Sequence, residues 1–205
     1  MIATPSPQPL SPQDYLQQED ASPLKHEYRH GWAYAMAGTT DRHNTIVGNL
    51  YSLLRQALRG TACSVYFADI KVHLTRLNHF YYPDLLVTCQ PQDQETSTYK
   101  RFPRLIVEVL SSSTEAFDRG DKFSDYQTLS SLQEYVLVST KRQQVEIFHR
   151  TTDPNTSDWL FSSYTPQSPA FSLKSLDLAI TWEDLYEDIS FPPDLQVIPL
   201  SAPIE

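Results

Sequence analysis

Tyr81-Tyr82-Pro83-Asp84-Leu85-Leu86-Val87, and, beyond a polar loop, Arg104-Leu105-Ile106-Val107-Glu108-Val109-Leu110-Ser111, are the two runs that decide how this chain is read. Both are short and rich in Leu, Ile and Val, the composition of buried strands. Each carries one carboxylate that breaks the apolar pattern. A buried carboxylate needs a cation, a proton or hydrogen bonds, so Asp84 and Glu108 are candidate site residues. Downstream, Asp118, Lys122 and Tyr126 recur at intervals of four. That spacing puts them on one face of a helix expected from Thr114 to about Leu129. Two acids on neighbouring strands with a lysine close by form a donor set for a hard divalent cation, which polarises a phosphate and lowers the pKa of bound water.

Composition frames the rest. A chain of 205 residues with 40% hydrophobic and 20% charged residues reads as one ordinary globular domain. The formal net charge of -9 opposes loose binding to nucleic acid, which rests on Lys and Arg neutralising phosphates. A local basic groove, or an acid cluster loaded with metal, is compatible with that charge. Cys63 and Cys89 read as small buried thiols, with neither a disulfide framework nor a zinc site expected. No signal peptide and no membrane-length apolar run is visible, so the expected compartment is the cytoplasm, with no membrane partner.

Outward from the acidic runs, residues 1–10 read as a Pro- and Ser-rich arm, residues 11–187 as a single domain and residues 188–205 as a Pro-rich tail. Ser11-Pro12-Gln13-Asp14 opens a short helix. His26 to Ala37 reads as a hairpin turning at His30-Gly31. Asp41 to Arg59 is the clearest helix, with an apolar stripe through Ile46, Val47, Leu50 and Leu54, and with His43 in its first turn. Ala62 to Leu74 reads as one strand whose polar face, Asp69, Lys71 and His73, is either solvated or lines a cleft. Lys100, Arg101 and Arg104 are the densest basic cluster and a candidate phosphate contact. Glu134 to Ser139 and Val145 to His149 read as a strand pair joined through 140–143, and Asp153-Pro154-Asn155-Thr156 as a turn. Trp159 to Tyr164 and Leu176 to Ile180 add strands, and Thr181 caps a last short helix.

Pro83-Asp84, Ile106-Val107-Glu108-Val109-Leu110-Ser111-Ser112-Ser113-Thr114, Asp118-Arg119-Gly120-Asp121-Lys122 with Tyr126, and Leu132-Gln133-Glu134-Tyr135 together resemble the Uma2 family (DUF820), restriction-endonuclease-like proteins abundant in cyanobacteria and part of the PD-(D/E)XK nuclease superfamily. The resemblance runs from about Leu10 to about Glu187. It implies an α/β (α+β) fold: a mixed β-sheet flanked by helices, with a β-rich C-terminal extension. It implies a Mg2+- or Mn2+-dependent endonuclease acting on nucleic acid, with DNA the expected substrate. Asp84 and Glu108 would be metal ligands, helped by the backbone carbonyl of Val109, and Lys122 the catalytic lysine. Glu27 would be a third acid, and His43, Asp69, Lys71 and Asp118 further site candidates. The superfamily places its lysine two residues after the second acid, where this chain has Leu110. The resemblance therefore implies a lysine moved to the next helix, Lys122, with Lys71 as its rival. A homodimer is expected by the same analogy, because cutting both strands of a duplex takes two sites.

Two other readings compete. A catalytically degenerate member of the fold would serve as a binding or assembly module, since fold does not guarantee chemistry. Alternatively, Asp84 and Glu108 are structural carboxylates neutralised by Lys122 and Lys71. Asp118 and Lys122 alone would also suit a surface ion pair worth only about 0.3–0.5 kcal/mol. Metal binding discriminates between the endonuclease and the binding module, since a degenerate scaffold need not bind it.

Overall fold

The computed structural model describes residues 2–3, 8–36, 38–151 and 158–191. The 153–156 turn and residues 192–205 of the expected tail lie outside them. In chain order the elements are β1 (Ile2–Ala3), α1 (Pro12–Ala21), β2 (His26–Arg29), β3 (Trp32–Ala35), α2 (Asp41–Ala57), β4 (Ser64–Phe67), β5 (Lys71–Leu74), β6 (His79–Tyr81) and β7 (Leu85–Thr88). They continue with β8 (Tyr99–Lys100), β9 (Pro103–Leu110), α3 (Glu115–Arg119), α4 (Asp121–Tyr126), β10 (Glu134–Ser139), β11 (Val145–Arg150), β12 (Trp159–Tyr164), β13 (Ala170–Leu173), β14 (Leu178–Thr181) and α5 (Trp182–Leu185). No helix among them is long and apolar enough to cross a membrane.

The central layer is a six-stranded mixed sheet in the order β12-β11-β10-β9-β7-β4. Its strands alternate between two apolar faces, as the pleat requires. Leu105, Val107 and Val109 of β9 face the helix α2 with Val136 and Val138 of β10, Leu85 and Val87 of β7, and the β13–β14 hairpin with α5. Ile106 and Leu110 face the other way with Leu86, Tyr135 and Leu137, against Phe123 and Tyr126 of α4. Glu108 shares the parity of Ile106 and Leu110, so its carboxylate enters this second face. β9 and β10 are parallel, and α3 and α4 make the crossover that parallel neighbours require. A second six-stranded sheet, β1-β3-β2-β6-β5-β8, covers that face and contributes Val72, Leu74 and Tyr81 to the same cluster.

Local signals account for several elements. Ser11 Oγ accepts the Asp14 N–H and Thr40 Oγ1 accepts the His43 N–H, so both helix starts are capped as their sequences suggest. The β2–β3 turn places His30 and Gly31 at φ 51° and 84°. A Cβ at Gly31 would lie 2.7 Å from the Pro9 side chain, so both the left-handed backbone and the contact call for glycine. Residues 1–10, read as an arm, include Ile2–Ala3 pairing with β3, and Leu10, whose N–H donates to Gly31.

The structure corrects three expectations. Ala62 to Leu74 is not one strand. The chain leaves the central sheet after Phe67, turns at Ala68 (φ 57°) and enters the second sheet as β5. It returns through Tyr82-Pro83-Asp84, between β6 of the second sheet and β7 of the central one. The helix expected over 114–129 is two short helices meeting at Gly120. Finally, Cys63 and Cys89 form a disulfide. Antiparallel register puts Ser64 opposite Thr88, so the preceding and following cysteines face each other across β4 and β7.

Opening this link, with dithiothreitol or by C63S/C89S, is expected to lower the unfolding free energy by roughly 3 kcal/mol, the loop-closure contribution of a ring this size. The four ladder pairs of β4 and β7 should keep the fold. Urea unfolding followed by circular dichroism checks both; an unchanged midpoint contradicts the pairing.

Candidate active site

Register brings the two acids together. Leu85 pairs with Val107 in the antiparallel β7–β9 ladder, so one position further on Asp84 stands beside Glu108. Asp84 sits where the chain crosses between sheets. Its Oδ2 accepts the Val109 N–H at 2.7 Å, so a carboxylate takes over where regular pairing ends. α4 then carries Lys122 under the same sheet face. The Lys122 Nζ lies 2.9 Å from Glu108 Oε1, 3.0 Å from Glu27 Oε1 and 3.6 Å from Asp118 Oδ1.

Hydrogen bonds hold this cluster in place. Glu27, on β2, also accepts the Tyr82 N–H at 3.1 Å. Tyr126 donates its hydroxyl to Glu108 at 3.2 Å. Tyr135 donates to the Asp118 carbonyl at 2.8 Å, which fixes the α3–α4 junction. His43, at the start of α2, places Nε2 3.2 Å from Asp84 Oδ2. Glu27, Glu108, Asp118 and Lys122 are each no more than 4% exposed. An ammonium so enclosed is no surface ion pair.

The electrostatics follow from burial. Desolvation, reinforced by Asp118, Asp84 and Glu27 and opposed by Lys122, pushes Glu108 well above the usual carboxylate range. Desolvation raises Glu27 too, against the pull of Lys122 and its hydrogen bonds. Burial disfavours the Lys122 ammonium, but Glu108, Glu27 and Asp118 outweigh it and hold its proton firmly. Burial likewise pulls His43 down, and the hydrogen bond and charge of Asp84 reverse that to a net rise.

Other sequence candidates go elsewhere. Lys71 donates to the Tyr82 hydroxyl at 3.2 Å, and that hydroxyl donates to Glu19 at 2.9 Å, so Lys71 belongs to a separate buried network. Asp69 is largely exposed and faces Lys25 at 3.4 Å. The split of 62–74 into two strands separates these residues from the cleft that a single polar strand face would have lined. Lys100 is buried, with Nζ donating to the Asp93 and Thr96 carbonyls. Arg101 pairs with Glu95 at 2.8 Å and Arg104 reaches the Ser175 carbonyl at 3.4 Å. The basic cluster therefore braces its own loop and the β13–β14 region.

Sequence reading missed a second polar group beside the acids. Asp125 accepts from Tyr81 and meets His79 Nδ1 at 2.9 Å, while Arg29 pairs with Asp121 at 3.0 Å. Arg29 lies one strand period from Glu27, a signal that period two carried once β2 was accepted.

The donor set suits a divalent cation. Three buried carboxylates, Glu27, Glu108 and Asp118, share the one Lys122 ammonium, and Asp84, its side chain 24% exposed, stands beside them against His43, so carboxylates outnumber the cations here. Among the described residues no group of three or more His, Cys, Asp or Glu is arranged as a ready metal cage. Mg2+ characteristically uses one or two carboxylates, keeping waters and substrate phosphates as its other ligands, and Asp84 and Glu108 are two oxygen donors that the β7–β9 register sets side by side.

Known proteins place the chain. The Uma2 family model, described as "Putative restriction endonuclease", matches residues 12–183. The protein slr1290 of Synechocystis sp. is 37% identical over 182 residues, covering 89% of this chain and 94% of its own. A second Synechocystis protein, sll1609, is 30% identical over 155 residues, covering 75% and 86%. A crystal structure of "a putative nuclease belonging to DUF820" from Anabaena variabilis superposes with a TM-score of 0.69 at 14% identity, covering 87% of this chain and 98% of that one. At that identity the likeness is one of fold.

Lys122→Met would leave three carboxylates buried without their cation, and is expected to cost about 3–5 kcal/mol near neutral pH. In the wild type Glu27 and Glu108 titrate higher folded than unfolded. Their contribution to stability is complete below the unfolded glutamate value of about 4.3 and is lost as pH rises through the raised value. The wild type in EDTA should therefore weaken as pH climbs from 5 to 8, and Lys122→Met should weaken more steeply. Urea unfolding at both pH values reads this; equal losses would contradict the buried-charge account.

Proposed function

Because the chain belongs to the Uma2 family, we propose that it is a divalent-metal-dependent endonuclease that hydrolyses phosphodiester bonds, with DNA as its substrate. The observation that carries this reading is the Lys122 ammonium, held between Glu27 and Glu108 on the sheet face that Asp84 enters. Asp84 and Glu108 would hold Mg2+ or Mn2+ with the Val109 carbonyl, whose backbone the Asp84 hydrogen bond already fixes. The metal would polarise the phosphate and lower the pKa of a bound water. Lys122 directs its charge at the same point and stabilises the negative charge that builds on the phosphate in the transition state. Glu27 and Asp118 keep that ammonium in place and protonated. Tyr126 fixes the Glu108 carboxylate, and His43 positions Asp84 from the α2 side.

Lys122 thus supplies from a helix what the superfamily pattern takes from the position of Leu110. The net charge of -9 favours a second reading, a binding module that holds no metal. The two differ in their response to divalent cations.

Asp84→Asn is expected to abolish Mg2+-dependent cleavage of DNA while keeping the wild-type circular dichroism spectrum. Lys122→Ala should lower the rate at least about a hundredfold, while Lys71→Ala should change it little. Cleavage retained in Asp84→Asn, or a larger loss in Lys71→Ala, would overturn the assignment.

A further inference from the structure

A cavity of about 230 Å³ opens beside the acid cluster, lined by Glu27, Arg29, Tyr34, Tyr81 and Phe117. Strand register explains the lining. Glu27 pairs with Tyr34 across β2–β3, and Tyr28 pairs with Phe80 across β2–β6. One position on, Tyr81 falls next to Glu27, so all three point to one face. Arg29 follows at period two, and α3 brings Phe117 from above. The base of the cavity is buried Glu27 and Tyr81, and its mouth is half-buried Arg29, Tyr34 and Phe117. Glu27 belongs to both spaces, since its Oε1 lies 3.0 Å from Lys122. Tyr81 does too, with the Lys122 Nζ 5.7 Å from its ring centre.

The chemistry here is aromatic and cationic. The Arg29 guanidinium lies 5.4 Å from the Phe117 ring centre. Its Nε is buried and makes no hydrogen bond. The Nε faces Asp125 Oδ2 at 3.8 Å, while Nη1 pairs with Asp121, whose side chain is 66% exposed, and an ion pair with so exposed a carboxylate is held weakly enough for a phosphate to replace it. Ring faces beside a guanidinium whose outer ion pair is solvent-exposed are what an unstacked base and its phosphate require. The cavity is smaller than the roughly 300–1,000 Å³ of a drug-sized site and takes one ring system, not a duplex.

We propose that this cavity binds one unpaired nucleotide, its base against Phe117 and Tyr34 and its phosphate on Arg29, so that the substrate is single-stranded at the acid cluster. The inference rests on the endonuclease reading for the role of the acids, but its binding half stands separately. It also accommodates the acidic surface: stacking holds the strand where the net charge gives little non-specific attraction.

The test is fluorescence anisotropy of labelled dT12, of U12 and of a 12-base-pair duplex, with Ca2+ present, on wild type, Phe117→Leu, Phe117→Trp and Arg29→Gln. Wild type should bind the single strands more tightly than the duplex. Phe117→Leu should weaken dT12 binding roughly fivefold or more, the contribution of one base stack, and Phe117→Trp should retain it. Arg29→Gln should weaken single-strand binding and flatten its salt dependence. U12 against dT12 tells whether the strand is RNA or DNA. Equal binding by Phe117→Leu and Phe117→Trp, or a preference for duplex, overturns the subsite. Asp84→Asn separates the two readings, because it should lose cleavage while Phe117→Leu still weakens dT12 binding in its background. Loss of cleavage with dT12 binding indifferent to Phe117 leaves the endonuclease standing and removes the subsite. Phe117-dependent binding with no cleavage by the wild type does the reverse.

Discussion

One ammonium among buried carboxylates is the constraint to which the rest of the fold answers. Lys122 meets Glu27, Glu108 and Asp118 within 3.6 Å, all nearly inaccessible to water. The groups come from β2, β9, α3 and α4, with Asp84 added from the crossover between the sheets. No local interaction could assemble them. Both sheets must be formed, and the α3–α4 crossover must lie across their common face, before the charges balance. Such an arrangement is a poor source of stability, because apolar residues of the same volume would serve as well or better. Its value lies in what an uneven set of charges does in a dry place: it perturbs ionisation and holds a fixed positive charge beside carboxylate oxygens.

The same cluster explains the break in the central sheet. Had Asp84 continued β7 as an ordinary strand residue, its side chain would have joined Leu86, Ile106 and Leu110 on the face that Glu108 enters. Instead the chain leaves the sheet there, and the carboxylate binds the Val109 N–H and meets His43. The crossover at Pro83 and Asp84 is thus both a topological necessity and the means of aiming an acid. Pro83, with no N–H to donate, suits a position where pairing stops.

How far the sequence could be read depended on whether a feature was local. Asp84 and Glu108 were visible because a carboxylate inside a Leu/Ile/Val run violates its surroundings. The capped helices α1 and α2 and the β2–β3 hairpin carried their own start, stop and turn residues. Ala68 carried no such mark. Alanine rarely adopts a left-handed backbone, and alternation continued unbroken through Ile70, Val72 and Leu74, so two strands in different sheets looked like one. Gly120 was visible, but the four-residue spacing of Asp118, Lys122 and Tyr126 survived the helix break and concealed it. The Cys63–Cys89 link needed the β4–β7 register, a long-range fact. Arg29 and Phe117 stand far apart in the chain, and only the packing of α3 over the second sheet makes them neighbours.

The account stands or falls on whether the excess negative charge is there for a divalent cation. The most direct measurement is isothermal titration of Mn2+ into the wild type and into the Asp84→Asn/Glu108→Gln variant, each with a non-cleavable oligonucleotide present to supply phosphate ligands. The account predicts saturable heat in the wild type that vanishes in the variant, with the fold unchanged by circular dichroism. Equal heats in both proteins, or none in the wild type even with the oligonucleotide bound, would contradict a metal site on these two acids and leave the cluster a structural one.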